Sequence, residues 1–119
     1  MAWEFDNERP IYTQLLEKIQ FMIVSGKYKA GDRLPAVREF AATAAVNPNT
    51  MQRALLELER QGLVHSQRTS GRIITEDVQL IKDVREKLAM EKVKEFIKNM
   101  EQLGYSKEEI IAMLDKADK

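Results

Sequence analysis

The chain of 119 residues has no cysteine. That excludes a disulfide framework and any thiolate metal site, and it fits a reducing compartment. The single histidine, His65, has no second imidazole to share a metal or serve a nucleophile. No serine stands in a Gly-x-Ser-x-Gly setting and no glycine-rich phosphate loop occurs, so no enzyme and no cofactor is expected. Long apolar runs are missing too; none approaches the roughly 20 residues that span a bilayer. The first ten residues carry Glu4, Asp6 and Glu8, where a secretory signal needs a basic start and an apolar stretch. A cytoplasmic location without a membrane partner is the expectation. Finally, net charge is absent: 19 Lys and Arg offset 19 Asp and Glu. Strong sequence-independent attraction to a polyanion is therefore not expected.

What remains is an ordinary globular composition, 44% hydrophobic and 32% charged, enough for one compact domain with a small appendage. Pro10 suits the first turn of a helix, and Ile11, Tyr12, Leu15, Leu16, Ile19, Met22 and Ile23 follow at helical spacing up to Gly26. Before it, Trp3-Glu4-Phe5 alternates like a short strand. Trp3, Phe5, Tyr12 and Tyr28 read as core rather than as the lining of a ligand pocket. Leu34 precedes a proline and should be extended. A second helix is expected from about Pro35, with Val37, Phe40, Ala41 and Ala44 on its inner face. Asn47 then caps a third helix with Pro48 in its first turn, running through Met51, Leu55 and Leu58 to a stop at Gly62. Two short helices so tightly joined make a helix-turn-helix. Two β-prone runs around Arg68-Thr69-Ser70-Gly71 follow and read as a hairpin, which in this position would be a wing.

From Glu76 onward the character changes. Ile81, Val84, Leu88, Phe96, Ile97, Met100 and Leu103 recur among many charges, with a slip of phase between Leu88 and Phe96 that suggests a kink. After Gly104, Ser106 and Glu109 form a capping box for a last helix carrying Ile110, Ile111 and Leu114. The fold class expected is mainly α with a small β-hairpin. Residues 1–75 would form a winged helix-turn-helix and residues 76–119 a two-helix dimerisation region. These ten apolar residues are the expected dimer interface, because so small a monomer cannot bury them all.

Charge is uneven along the chain. Between Lys27 and Arg72 the cations Lys27, Lys29, Arg33, Arg38, Arg53, Arg60, Arg68 and Arg72 face Asp32, Glu39, Glu57 and Glu59. Local charge is what meets phosphate. Asn47, Asn49, Thr50, Gln52 and Arg53 crowd the start of the third helix, where such proteins meet base edges in the major groove. Asn and Gln match adenine and Arg matches guanine. Asn47 is equally well read as a cap alone, and Arg53 as a phosphate ligand or a partner of Glu57. Arg38, Arg68, Thr69, Ser70, Gly71 and Arg72 complete the candidate DNA contacts; wing arginines bind phosphate or enter the minor groove.

Gly31-Asp32-Arg33-Leu34-Pro35-Ala36-Val37-Arg38-Glu39-Phe40-Ala41 resembles the signature of the GntR family of bacterial regulators. Val46-Asn47-Pro48-Asn49-Thr50-Met51-Gln52-Arg53-Ala54 and Leu58-Glu59-Arg60-Gln61-Gly62-Leu63 continue it in order and spacing. The opening Pro10-Ile11-Tyr12-Thr13-Gln14-Leu15 also fits, and the short tail resembles the YtrA-like subfamily. The resemblance implies a DNA contact at Arg38, a C-terminal pair of helices, and repression, often of transporter operons. Two positions depart from the pattern: Ala36 stands where the family usually has serine, and the wing keeps Gly71 but not the first glycine of its Gly-x-Gly turn. The expected partners are double-stranded DNA and a second copy of the chain. An unknown small-molecule effector, apolar and held between the C-terminal helices or at the dimer interface, is the remaining candidate partner. The reading from another class is a winged-helix protein-interaction module without DNA binding, motivated by the zero net charge and the missing wing glycine.

Overall fold

The computed structural model describes residues 3–69 and 71–118. They form helices α1 (Ile11–Val24), α2 (Val37–Ala44) and α3 (Pro48–Arg60), strands β1 (Val64–Gln67) and β2 (Gly71–Ile74), and helices α4 (Val78–Gln102) and α5 (Lys107–Ala117). The chain divides into two compact units, the first ending at Arg85 and the second beginning at Glu86. Among the described residues no helix is long and apolar enough to cross a membrane.

The first unit is built on the apolar stripes visible in the sequence. Leu15, Ile19 and Ile23 of α1 meet Phe40, Ala41 and Ala44 of α2 and Met51, Ala54, Leu55 and Leu58 of α3 in one core, closed by Leu34, Leu63, Val64 and Ile74. The small residues on α2 let its backbone approach α3. Leu80, Ile81 and Val84 of α4 pack against the same core, which is why this unit continues past the hairpin.

Two short segments ahead of helices fold differently from expectation. Trp3-Glu4-Phe5 is not a strand. Its neighbourhood is held instead by the buried Gln14 amide, which accepts from the Asp6 N–H (2.8 Å) and donates to the Asp6 and Arg9 carbonyls (2.9 and 2.8 Å). Trp3 lies edge-on to Phe40, with ring centroids 5.5 Å apart, and Tyr28 does the same at 6.2 Å. Burial pushes the Tyr28 hydroxyl above its ordinary pKa. The second helix starts at Val37 rather than Pro35, with an uncapped, extended Ala36 before it. The chain ahead of it is committed to the hairpin: the Leu34 N–H donates to the Arg72 carbonyl (2.9 Å) and Asp32 accepts from the Ile74 N–H (2.8 Å). An isolated bridge joins Arg33 to Ile73. β1 and β2 pair antiparallel, with Val64 opposite Ile74 and Ser66 opposite Arg72, so residues 31–34 add a short third edge to the hairpin.

α2 and α3 end in the same way but with different residues. At the end of α3, Gly62 and Leu63 donate to the Glu59 and Leu58 carbonyls, and Gly62 has φ +83°. At the end of α2, Ala45 and Val46 donate to Ala42 and Ala41. Both are Schellman turns, but Ala45 adopts φ 60° with a Cβ in place. It is the one non-glycine residue with positive φ among the described residues.

In the second unit the expected kink is absent: α4 runs unbroken through Leu88–Phe96. That stretch has no glycine or proline, and its exposed side chains impose no packing phase on the backbone. The remainder of α4 and α5 bury Ile110 (3% exposed). Ser106 and Glu109 form the full capping box.

Candidate nucleic-acid interface

α3 has one face in the core, so its phase fixes what points outward. At 100° per residue, Asn49, Arg53, Leu56 and Arg60 lie opposite Met51, Leu55 and Leu58. Asn49 and Arg53 are exposed, and Thr50 and Gln52 are half-buried on the two flanks. The Asn47 side chain accepts from the Asn49 N–H (2.8 Å), satisfying one of the free donors of the first turn. A cap role is thus visible for Asn47, and the side chain of Asn49 stays available.

Arg53 does not pair with Glu57. Glu57 is held by Arg60, whose Nε donates at 2.8 Å, and by Gln61 at 3.1 Å. The hydrogen bond from Arg60 lowers the Glu57 pKa, and the same bond raises that of Arg60. The Arg53 guanidinium instead lies over the Tyr12 ring of α1, 4.1 Å from its centroid. Arg38, near the start of α2, is exposed, and among the described residues it forms no ion pair with Asp32 or Glu39.

The wing divides into tip and base. Arg68 and Thr69 are exposed at the tip. Ser70 lies outside the described residues. Gly71 opens β2 with φ +73° and open space around its missing Cβ. Arg72 is different: its Nε donates to Glu59 of α3 at 2.8 Å, and its side chain is only 17% exposed. The wing therefore presents Arg68 outward and turns Arg72 inward.

The apolar residues expected to mediate dimerisation also separate into groups. Ile81 and Val84 belong to the packing of the first unit. Leu88, Ile97 and Met100 are half-buried and Ile110 is buried. Phe96, Leu103, Ile111 and Leu114 are exposed, and Met90 and Val93 join them. Val93, Phe96, Ile97, Ile110, Ile111 and Leu114 line an apolar groove of about 320 Å³ within the second unit.

Sequence reasoning missed Tyr12, Glu59 and Leu56 as residues of this surface. Leu56 was recoverable, since it is three residues from Arg53 and four from Arg60 on one helix face. It is 48% exposed and is the kind of apolar group that meets a thymine methyl. Tyr12 and Glu59 carry no such signal, because their partners come from distant parts of the chain.

Residues 11–74, which hold the helix-turn-helix and the wing, match the model of the "Bacterial regulatory proteins, gntR family". The chain belongs to the GntR family. It is 39% identical to the uncharacterized HTH-type transcriptional regulator YhcF of Bacillus subtilis, over 91% of this chain and 89% of that protein. It is 41% identical to the HTH-type transcriptional repressor YtrA of the same organism, over 57% of this chain and 52% of YtrA. Among solved structures, a GntR family transcriptional regulator from Listeria monocytogenes superposes with a TM-score of 0.87 at 42% identity, covering 94% of this chain and 98% of that one. The DNA-binding domain of AraR, solved in complex with its operator ORX1, superposes with a TM-score of 0.56 at 26% identity over 63% of this chain and 99% of that one. This GntR-family member is thus a DNA-binding transcription regulator with a winged helix-turn-helix, a non-enzymatic class.

Proposed function

We propose that the chain acts as a homodimer and represses transcription by occupying an inverted-repeat operator in the cytoplasm. The observation that carries the dimer is the second unit's surface: Phe96, Leu103, Ile111 and Leu114 are 41%, 73%, 50% and 52% exposed. A soluble monomer rarely leaves so large an apolar set in water. A second copy seated on this face would cover the groove between α4 and α5, and a small apolar effector would compete for the same space. Two-fold symmetry would then present two α3 helices to major grooves about 34 Å apart. Asn49, Thr50, Gln52 and Arg53 would read bases there. Arg38, Arg68 and Thr69 would position the protein on phosphates, with Ser70 and Gly71 at the wing turn. Repression, and control of a transporter operon, rest on the likeness to YtrA and its subfamily.

Selection from a random duplex pool at physiological salt tests the reading. Enrichment of an inverted repeat with half-sites about one helical turn apart is expected. In sedimentation, the intact chain should be a dimer and a chain truncated after Arg85 a folded monomer. A folded wild-type chain that enriches nothing, or a dimer that survives truncation, would overturn the corresponding half of the proposal.

A further inference from the structure

We propose that Glu59 is a positioning residue for DNA recognition. From α3 it grips both strands of the wing at one cross-strand pair, and so sets where the wing tip meets the duplex. The proposal rests on the reading of the wing as a DNA contact. One carboxylate oxygen, Glu59 Oε1, accepts from Arg72 Nε at 2.8 Å and from the Ser66 hydroxyl. Ser66 and Arg72 are directly opposed in the antiparallel register. A single acceptor on the recognition helix therefore holds β1 and β2 together and to α3.

The hairpin has four residues per strand, and an isolated two-stranded hairpin of that size is marginal in water. Its base is secured by buried Val64 and Ile74. Beyond that base, no other α3 side chain among the described residues hydrogen-bonds to the wing. Charge matters as well. Glu59 is only 24% exposed and Arg72 17%, so each neutralises the other in a partly dry setting. Without Glu59, Arg72 would be free to collect any phosphate. The wing would become less well aimed while the surface became more basic. Affinity for a specific duplex and for an arbitrary one should then move in opposite directions, which a general loss of stability does not produce.

The test compares the full-length wild-type chain with Glu59→Ala, Glu59→Gln and Ser66→Ala. Two probes are used: a duplex enriched from the random pool and a scrambled duplex of equal composition. The ratio of the two affinities should fall about tenfold in Glu59→Ala, the scale of one lost charge-assisted hydrogen bond, with scrambled binding raised. Without DNA, residual dipolar couplings of the β1 and β2 amides should shrink relative to those of α3. Glu59→Gln keeps an acceptor oxygen and should preserve the couplings. Ser66→Ala alters an exposed residue and should give an intermediate ratio even if Glu59→Ala folds poorly. An unchanged ratio and unchanged couplings in the folded variants would overturn the proposal alone. Failure of the wild-type chain to enrich any duplex would overturn the specific-DNA reading, and the proposal with it.

Discussion

The guanidinium of Arg53 rests on the ring of Tyr12, 4.1 Å from its centroid, so a cation on the outward face of α3 is steadied by α1. Arg is well suited to this role because its planar head stacks while its N–H edges stay free. A cation–π pair at such a site contributes about 0.5 to 1 kcal/mol. In urea unfolding, a double-mutant cycle of Tyr12→Leu and Arg53→Ala should return a coupling of that size. Strictly additive single losses would show that the stack adds no stability.

Arg38 is exposed and free of acidic partners among the described residues, so Arg38→Ala should leave the melting temperature unchanged. Binding to a selected duplex should weaken about tenfold, within the range of one lost base or phosphate contact. A salt series separates the two cases. Loss of a phosphate contact lowers the slope of log affinity against log salt by about one, whereas loss of a base contact leaves the slope and relaxes one position of the site. Unchanged affinity would remove Arg38 from the interface.

Ala45 holds φ 60° and ψ 47° where α1, α3 and α4 are followed by glycines of positive φ, Gly26, Gly62 and Gly104. A Cβ costs about 1 to 2 kcal/mol in that region, partly offset because glycine is freer in the unfolded chain. Ala45→Gly should raise stability by about 0.5 to 1 kcal/mol, and Ala45→Val should lower it. A drop in melting temperature for the glycine variant would show that the turn is not strained.

The Glu109 carboxylate accepts the Ser106 N–H at 2.9 Å. That bond, followed by the contribution of the Ser106 side chain, holds its pKa below the usual 4.5. A depressed folded-state value means that stability is fully present above the unfolded pKa and is lost as pH falls through the folded one. Protection factors of the α5 amides, taken against the intrinsic exchange rate at each pH, should therefore fall as the pH drops below 4.5, and Glu109→Gln should flatten that dependence. Ser106→Ala should weaken α5 by about 1 kcal/mol at neutral pH. An α5 whose protection is identical at neutral and acid pH would contradict the capping argument.

The parts of the molecule legible in the sequence are those governed by short-range rules. Asn47-Pro48 announced α3, Ser106 with Glu109 announced α5, and the apolar phase of Leu15, Ile19 and Ile23 announced α1; each depends on neighbours a turn away. The missed features depend on partners far along the chain. Gln14 is buried because the segment before Pro10 folds back on it. Residues 31–34 are extended because β2, some forty residues later, offers an edge. Glu59 and Arg72 are thirteen residues apart, and nothing local distinguishes Arg72 from the exposed Arg68. The candidate DNA residues on α3 followed from helix phase, whereas the inward turn of Arg72 required the fold.

Gly62 ends α3 with Leu80 of α4 lying 3.3 Å from where its Cβ would stand. A larger residue would strain the backbone, held at φ +83°, and would ask the tip of the Leu80 side chain to give by a few tenths of an ångström. The first unit contains Leu80, Ile81 and Val84, borrowed from a helix that continues into the second. This constrains how such a protein can be recombined. A chimaera joined at Thr75, where composition changes, would strip the first unit of part of its own core. One joined beyond Arg85 would keep that core, provided the incoming sequence entered as helix and in phase.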